Sequence, residues 1–487
     1  MTHSPYPRIA SLKTPAAFRT HLVSSGIPLD FDDELARGES PLAQPITAGT
    51  VRVGNRFCVL PMEGWDGTTA GEPSELTRRR WRNFGMSGAK LIWGGEAVAV
   101  RHDGRANPHQ LMLTAETERA IASLRDELVS AHRARFGSRA ADDLYIGLQL
   151  THSGRYSRPN AYDRPEPLAA WHHPALDRRF PQGVRVLKDD DLDRLVENFA
   201  AAARLAYNAG FQFVDVKQCH GYLGHELLGA RGRSGPYGGS FGNRTRFLRL
   251  IIDAIHAAVP GLAVAVRLSV LDTVPYGRSA GGAGAREEPG NYGFGVLGSD
   301  AELDEALADS RALLQILDGL GVRWICTTAG SPYYNPHVQR PAIFPPVDGY
   351  DPPEDPLRGV ARQIQATARL KRAFPQMIFV GSAYSYLQEW LPHVGQWAVG
   401  RGMTDFVGLG RVVLSYPELP ADVLAGRPLR RAMFCRTFSD CTTGPRLGLE
   451  SGCYPLDPFY AKRPEAVQVR RAHTRVRAGT ASSRRRN

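Results

Sequence analysis

The sequence predicts an α/β fold: a (β/α)8 TIM barrel with an N-terminal extension and an irregular C-terminal tail. Eight apolar, strand-like runs alternate with helix-like stretches, and this alternation favours a parallel sheet covered by helices. Eight repeats over roughly 350 residues fit a closed barrel better than an open sheet. Two long glycine- or proline-rich connections, 272–298 and 331–359, follow the fifth and sixth strands. Loops at the carboxyl ends of barrel strands usually shape the active site, so both are candidates for its wall.

Each predicted element is assigned from its local pattern of apolar residues. The predicted strands are Phe57–Met62, Ala89–Val100, Leu144–Leu150, Gln212–Lys217, Leu262–Ser269, Val322–Thr328, Met377–Gly381 and Asp405–Gly410. The predicted helices are Glu75–Met86, Ala115–Arg133, Asp189–Ala209, Asn243–Ala258, Ser299–Leu320 and Val360–Phe374. Before the first strand, Ile46–Arg56 contains Gly49 and Gly54, and it is predicted to form a short hairpin that closes the barrel floor.

The chain divides into four predicted segments. Residues 1–44 are an N-terminal extension, 45–430 the barrel, 431–460 a cysteine-containing segment and 461–487 a basic tail. The tail holds nine Lys and Arg residues and one Glu, so +8 of the net charge of +11 lies there. An Arg-rich end with few apolar residues is predicted to be disordered. Because this tail has no aromatic side chain for stacking on bases, nucleic-acid binding is not favoured.

The composition argues against several other classes of protein. Six cysteines in 487 residues are too sparse for a disulfide scaffold. No apolar run approaches membrane-spanning length, and the first residues lack the charged-then-apolar plan of a signal peptide. We therefore expect a cytoplasmic protein with no membrane partner.

A cluster of reactive side chains follows the fourth predicted strand. The apolar run from Phe211 to Val216 is followed by Lys217, His220 and Tyr222 within six residues. At the carboxyl end of a barrel strand, these side chains offer one small ligand a cation, a hydrogen-bond donor and a phenolic acid.

This region resembles the Old Yellow Enzyme family, flavin-dependent reductases of activated alkenes. In that family strand 4 ends in His-x-x-His/Asn-Gly-Tyr-Leu and continues into Tyr-Gly-Gly-Ser-x-x-Asn-Arg-x-Arg-Phe. The second pattern matches residues 237–247 closely, whereas Lys217 replaces the first His of the family pair. The resemblance extends over about residues 45–425 and includes motifs at six successive strand ends.

The resemblance implies FMN as the cofactor. Gln149 matches the residue that hydrogen-bonds the flavin pyrimidine edge, and Arg267 matches the cation near flavin N1. The residues after strands 7 and 8 match a phosphate cradle. The implied cofactor-binding residues are Pro61, Met62, Glu63, Ala97, Gln149, Arg267, Gly381, Ser382, Gly410 and Arg411. Each has an ordinary structural alternative when taken singly, but together they favour FMN.

The implied reaction carries hydride from NADH or NADPH through flavin N5 to an electron-poor C=C or C=N bond of a small molecule. Tyr222 would supply the proton, while His220 and Lys217 would bind the substrate oxygen. Three alternatives remain open: an oxidase, demethylase or dehydrogenase in the same barrel, a Schiff-base lyase or aldolase using Lys217, and a barrel that binds without turnover. The sequence indicates neither the preferred nicotinamide nor the oligomeric state.

Two departures from the family pattern put its standard substrates in doubt. Besides Lys217, Glu63 stands where the family usually has Thr or Cys. An ionised Glu63 near the flavin would oppose electron uptake, so we hypothesise that it pairs with Lys217. The alternatives are a purely structural ion pair for Lys217 and a solvated Glu63 that points away.

Three cysteines follow the barrel. Cys441 and Cys453 have the spacing of the last two ligands of the iron–sulfur cluster in longer family members, but only Cys435 precedes them. The set is therefore incomplete for a four-thiolate site. A relic of a lost cluster is favoured over a three-Cys cluster with another ligand or ordinary buried thiols, so no metal is expected.

Overall fold

A computed structural model describes residues 5–287 and 293–484. Its centre is a closed barrel of eight parallel strands, which confirms the predicted fold. The strands are β1 Ile46–Ala48, β2 Val51–Val53, β3 Phe57–Val59, β4 Leu91–Ile92, β5 Ala97–Ala99, β6 Tyr145–Thr151, β7 Leu168–Ala169, β8 Arg185–Val186, β9 Phe213–Val216, β10 Ala263–Leu271, β11 Tyr276–Arg278, β12 Gly284–Arg286, β13 Trp324–Ala329, β14 Ile378–Gly381 and β15 Phe406–Leu409. The barrel runs β3, β4, β6, β9, β10, β13, β14 and β15, and β15 pairs with β3 to close it.

The second predicted strand is interrupted. Ala89–Val100 was predicted as one run, but β4 and β5 are separate and both pair with β6. Gly94 and Gly95 between them have φ values of +102° and +51°. Since extended backbone needs negative φ, the chain must leave the strand conformation at this pair. The break redirects the chain at the rim of the barrel.

Helices surround the barrel. They are α1 Pro15–Ser24, α2 Glu75–Gly85, α3 Glu118–Phe136, α4 Asp189–Asn208, α5 Leu223–Leu228, α6 Phe241–Arg244, α7 Arg246–Ala258, α8 Leu303–Ala306, α9 Ala308–Gly319, α10 Pro336–Gln339, α11 Pro356–Ala373, α12 Leu391–Gly400, α13 Val412–Ser415, α14 Leu419–Leu424, α15 Asp440–Arg446, α16 Pro458–Ala461 and α17 Glu465–Arg484. The predicted helix Ser299–Leu320 is divided into a short 3-10 turn followed by α8 and α9.

The barrel floor is closed as the glycine pattern predicted. β1 and β2 form an antiparallel hairpin in which Ile46 lies opposite Val53. Val53 is fully buried and joins an apolar cluster with Cys58 and Phe213 inside the barrel. The hairpin therefore seals the end of the barrel opposite the long loops.

The C-terminal tail was predicted to be disordered, but its described part is mostly helical. Glu465–Arg484 is helical, and Ala466 and Val469 are buried against Tyr454 and Tyr460. Composition alone pointed to disorder, but two apolar residues three positions apart form a face that packs on these rings. Residues 485–487 of the predicted tail and 288–292 of the first long loop lie outside the described residues. In the described ranges, no helix combines the length and apolar character needed to cross a bilayer.

Candidate active site

A cavity of about 240 Å³ opens at the carboxyl ends of the barrel strands. It is lined by residues from the ends of all eight barrel strands or from the loops that follow them, as expected for this fold. The predicted residues that line it are Pro61, Met62, Glu63, Ala97, Gln149, Lys217, His220, Tyr222, Arg267, Ser382, Gly410 and Arg411. Gly381 does not line the cavity. It ends β14, and a Cβ added there would meet the ring of Tyr384 at 3.1 Å.

Glu63, Lys217 and Tyr222 form one contact group. Lys217 Nζ lies 3.1 Å from Glu63 Oε1, which confirms the hypothesised ion pair. The Tyr222 hydroxyl donates to the same carboxylate, 2.8 Å from Oε1 and 3.0 Å from Oε2. Lys217 Nζ also sits 3.7 Å from the centre of the Tyr222 ring, in a cation–π contact. One carboxylate therefore holds both the cation and the phenol.

Tyr333 extends this group from the loop after β13. Its hydroxyl lies 3.1 Å from the Tyr222 hydroxyl. Because Tyr222 donates its single proton to Glu63, Tyr333 is the donor in this second hydrogen bond. Tyr333 also stacks on Tyr156, with ring centres 3.8 Å apart. Burial, followed by the charge of Glu63, raises the pKa of Tyr222 well above 10.0.

Hydrogen bonds to its backbone hold His220 in position. It has a φ of +67°, and its N–H donates to Ser269 Oγ at 3.1 Å, while Ser331 Oγ donates to its carbonyl at 2.7 Å. Its Nε2 lies 3.3 Å from both Thr328 Oγ1 and Gln339 Nε2. Burial, and then nearby positive charges, lower its pKa well below 6.5, so the imidazole is neutral.

A buried carboxylate orients the opposite wall. Asp215 accepts hydrogen bonds from Gln149 Nε2 at 2.6 Å, Trp93 Nε1 at 2.8 Å and the backbone N–H of Arg267 at 2.6 Å. Burial raises the pKa of Asp215 to about 6. With its amino group directed to Asp215, Gln149 keeps its amide oxygen for a ligand. Arg267 Nη1 donates to the Pro61 carbonyl at 3.4 Å, but its buried Nε has no partner in the described structure.

The far end of the cavity is strongly positive. Arg411 donates to the Pro341 carbonyl at 2.8 Å, whereas its buried Nη1 has no partner in the described structure. Arg340, which the sequence analysis missed, faces the same space and donates to Thr442. Burial and then the charge of Arg411 lower the pKa of Arg340 to about 10. Neither guanidinium forms an ion pair with any carboxylate in the described ranges, so two cations line this end of the cavity without a directly paired carboxylate.

The backbone at this end leaves room for an anion. Ala383, directly after Ser382, has a φ of +75°, a left-handed conformation that a non-glycine residue adopts at a cost. At Gly410, an added Cβ would meet nothing closer than Ser385 Oγ at 4.0 Å, so the space beside its backbone is open. Successive backbone N–H groups in such turns form anion-binding concavities.

The C-terminal segment completes the wall. Cys441, Thr442 and Ser451 line the cavity, and Ser451 N–H donates to the Gly64 carbonyl at 2.7 Å. Cys435 and Cys453 are buried nearby, and burial followed by the neighbouring thiols raises the pKa of Cys453. Among the residues that the structure describes, no group of three or more His, Cys, Asp or Glu side chains is placed to hold a metal ion.

Residues 41–283 match the model of the NADH:flavin oxidoreductase / NADH oxidase family. The chain belongs to this family. A NADPH dehydrogenase of Geobacillus sp. (strain WCH70) is 31% identical over 253 residues, which cover 49% of this chain and 66% of the relative. A putative 12-oxophytodienoate reductase 3 of Oryza sativa subsp. japonica is 42% identical over 245 residues, covering 48% of this chain and 60% of the relative. The chain therefore spans less than two thirds of these relatives.

Solved structures support the same architecture. A complex of 2-naphthoyl-CoA reductase with 2-naphthoyl-CoA has a TM-score of 0.61 at 20% identity and covers 88% of this chain and 58% of that one. A histamine dehydrogenase from Rhizobium sp. 4-9 has a TM-score of 0.58 at 22% identity and covers 85% of this chain and 51% of that one. At such identities these likenesses establish the fold alone.

FMN is the cofactor that membership of this family implies, and the cavity residues fit it. Gln149 would present its free amide oxygen to an N–H of the flavin ring, and Arg267 would present its unpartnered Nε to the ring edge that becomes anionic on reduction. At the other end, Arg411 and Arg340 would bind a phosphate with their positive charges. The two buried atoms without a partner in the described structure, Arg267 Nε and Arg411 Nη1, thus lie where the ring and the phosphate of FMN would bind.

Arg340 and Tyr333 are cavity residues to which the sequence prediction gave no individual role. Both lie in the loop 331–359, which was predicted to shape the site as a whole. The length and position of this loop indicated that it would shape the site. Neither residue belongs to a sequence motif that would have marked its own role.

Proposed function

We propose that this protein is an FMN-dependent oxidoreductase that passes hydride from NADH or NADPH to an electron-poor C=C or C=N bond of a small molecule, with Tyr222 as the proton donor. One observation carries the proposal. Tyr222, His220 and Lys217 meet in a cavity whose opposite wall holds Gln149 and Arg267. A phenol, a hydrogen-bonding imidazole and an ammonium therefore face a space that the flavin ring would share with substrate.

The bound flavin supplies a hydride donor at its N5 atom. The residues of the chain supply the rest. His220 and Lys217 bind the carbonyl oxygen of the substrate and stabilise negative charge that develops there as hydride arrives at the β-carbon. Tyr222 gives its proton to the α-carbon. Arg267 stabilises the negative charge of the reduced ring edge.

Lys217 is poorly suited to Schiff-base chemistry. Its Nζ is held by Glu63 at 3.1 Å and faces the Tyr222 ring, and both contacts would have to break before it could attack a carbonyl carbon. The uncompensated cations Arg411 and Arg340 would also lack an evident ligand in a lyase or aldolase without a phosphate-bearing cofactor or substrate.

A second candidate is a flavin-dependent dehydrogenase or oxidase that runs in the opposite direction. The observation that favours it is the hydrogen bond from Tyr222 to Glu63. In that direction Tyr222 passes its proton to Glu63, and the Tyr222 oxygen takes up the proton that the substrate loses while hydride leaves for the flavin.

The test begins with the purified protein under anaerobic conditions. A yellow protein that NADPH or NADH bleaches contains a reducible flavin, and electron-poor alkenes are then screened for reoxidation. Reoxidation with formation of the saturated product supports the proposal, and Tyr222→Phe should lose the alkene step while keeping reduction by the nicotinamide. A colourless protein that fails to take up FMN would overturn it, and bleaching by an amine or alcohol without nicotinamide would favour the second candidate.

A further inference from the structure

We propose that Glu63 is a catalytic residue that returns a proton from Lys217 to Tyr222 after each turnover. This inference rests on the proposed function, and it assigns Glu63 a role in proton transfer in addition to pairing with Lys217. It follows from the two departures of this chain from the family pattern, Glu63 and Lys217, which meet at the hydroxyl of the proposed proton donor.

The geometry provides a continuous path. Lys217 Nζ donates to Glu63 Oε1 at 3.1 Å. The Tyr222 oxygen lies 2.8 Å from Oε1 and 3.0 Å from Oε2, so one carboxylate bridges ammonium and phenol. Each separation lies within the range of a hydrogen bond, the distance over which protons transfer directly.

Tyr222 is largely buried, and this path would hand it a proton without a water molecule having to reach its hydroxyl. Its exposed fraction is 3%, and its ring packs in an apolar cluster with Tyr156 and Tyr334. Its hydroxyl contacts Glu63 and Tyr333, two groups that can exchange protons with it. Tyr333 is itself a weak phenolic acid, whereas Glu63 is in direct contact with the Lys217 ammonium.

Each turnover delivers one proton and one hydride to the substrate. The Tyr222 hydroxyl turns from Glu63 to the substrate, its O–H bond breaks and a C–H bond forms at the α-carbon, while hydride from the reduced flavin completes the two-electron reduction. The phenolate is stabilised by the Lys217 ammonium, 3.7 Å from the ring centre. Lys217 then gives a proton to Glu63 as Glu63 gives one to Tyr222. Lys217 recovers its proton from solvent in the cavity, and the nicotinamide restores the reduced flavin.

The experiment compares one turnover with many in the flavin-loaded enzyme. Wild type and Glu63→Gln are reduced with NADPH and mixed with an alkene that wild type accepts. In Glu63→Gln the first turnover uses the proton already on Tyr222, so its rate constant should fall much less than the steady-state rate. Steady-state turnover should fall by about tenfold or more, with a larger solvent deuterium isotope effect, because reprotonation becomes limiting. The reductive half-reaction, measured separately, shows that flavin reduction does not cause the loss.

Three further variants secure the interpretation. Glu63→Asp keeps a carboxylate and should restore much of the steady-state rate. Lys217→Met leaves the carboxylate but removes both the proton source and a ligand of the substrate oxygen, so the single-turnover rate should fall and the steady-state rate should fall further. This ratio of the two losses also serves if Glu63→Gln does not fold. Glu116→Gln changes an exposed carboxylate elsewhere and should behave as wild type.

The outcomes distinguish the proton relay, the path from Lys217 through Glu63 to Tyr222, from the reduction reaction that it serves. A burst followed by slow turnover in Glu63→Gln supports the relay. Equal losses in single and multiple turnovers, or no loss in either, overturn it and leave Glu63 an electrostatic role. If reduced wild type is not reoxidised by any alkene, the proposed function fails and the relay falls with it, an outcome visible in wild type alone.

Discussion

Replacing Arg411 with Met should weaken the binding of FMN far more than that of riboflavin, which lacks the phosphate. Arg411 Nη1 is buried and has no partner in the described structure, so it is available to donate to a phosphate oxygen. A hydrogen bond involving a charged group contributes about 1.5–3 kcal/mol. Since each 1.4 kcal/mol is tenfold, the Kd for FMN should rise by about 10- to 140-fold.

The assay is quenching of flavin fluorescence on titration of the apoprotein with FMN and then with riboflavin. Riboflavin binding should change by less than about twofold, because Arg267 and Gln149 are untouched. Arg340→Met should show the same selective loss, since Arg340 faces the same space. Arg37→Ala, at an exposed position outside the cavity, is the matched control. Equal weakening of FMN and riboflavin by Arg411→Met would refute the placement of the phosphate.

Three further predictions concern pH, packing and metal content. Because burial holds the pKa of His220 well below 6.5, its charge should not change between about pH 6 and 8. An acid limb of kcat/KM near pH 6.5 that His220→Asn abolishes would contradict this. Gly408→Ala should destabilise the fold by about 1–3 kcal/mol or more in thermal unfolding, since the new Cβ would lie 2.2 Å from the Gly381 carbonyl oxygen. Gly319→Ala, with nothing within 4 Å, should instead stabilise it by about 0.4–1 kcal/mol, and the opposite order would be evidence against the packing. Iron and sulfide analysis of anaerobically purified protein should find far less than one iron atom per chain, and stoichiometric iron would restore a cluster at the carboxyl-terminal cysteines.

Residues close to a strand end were the most predictable part of the site. Lys217, His220 and Tyr222 follow one strand, and parallel strands direct their carboxyl ends to the same rim. The pairing of Glu63 with Lys217 was also accessible, because both positions depart from one family pattern at neighbouring places in the fold. Gln149 was predicted to line the site, but its orientation was not, because that depends on Asp215 and its burial.

Other features of the structure could not be predicted from the local sequence. The strand break at Gly94 and Gly95 follows from φ values that a sequence with two glycines permits but does not require. The helix Glu465–Arg484 depends on an apolar surface formed by Tyr454 and Tyr460, and composition alone suggested disorder. The entry of Arg340 into the cavity depends on the path of a loop whose length was its only distinguishing feature.

The sequence by itself determined the order of strands and helices, the closed barrel and the side chains that surround its mouth. These follow from apolar periodicity and from residues next to strand ends, which are local properties. Only the tertiary structure decided which partners meet across the cavity. Tyr222 gives its hydrogen bond to Glu63, 159 residues earlier in the chain, and Arg340 faces Arg411. Closure of the barrel brings these distant residues together, and burial then sets the charge each group carries.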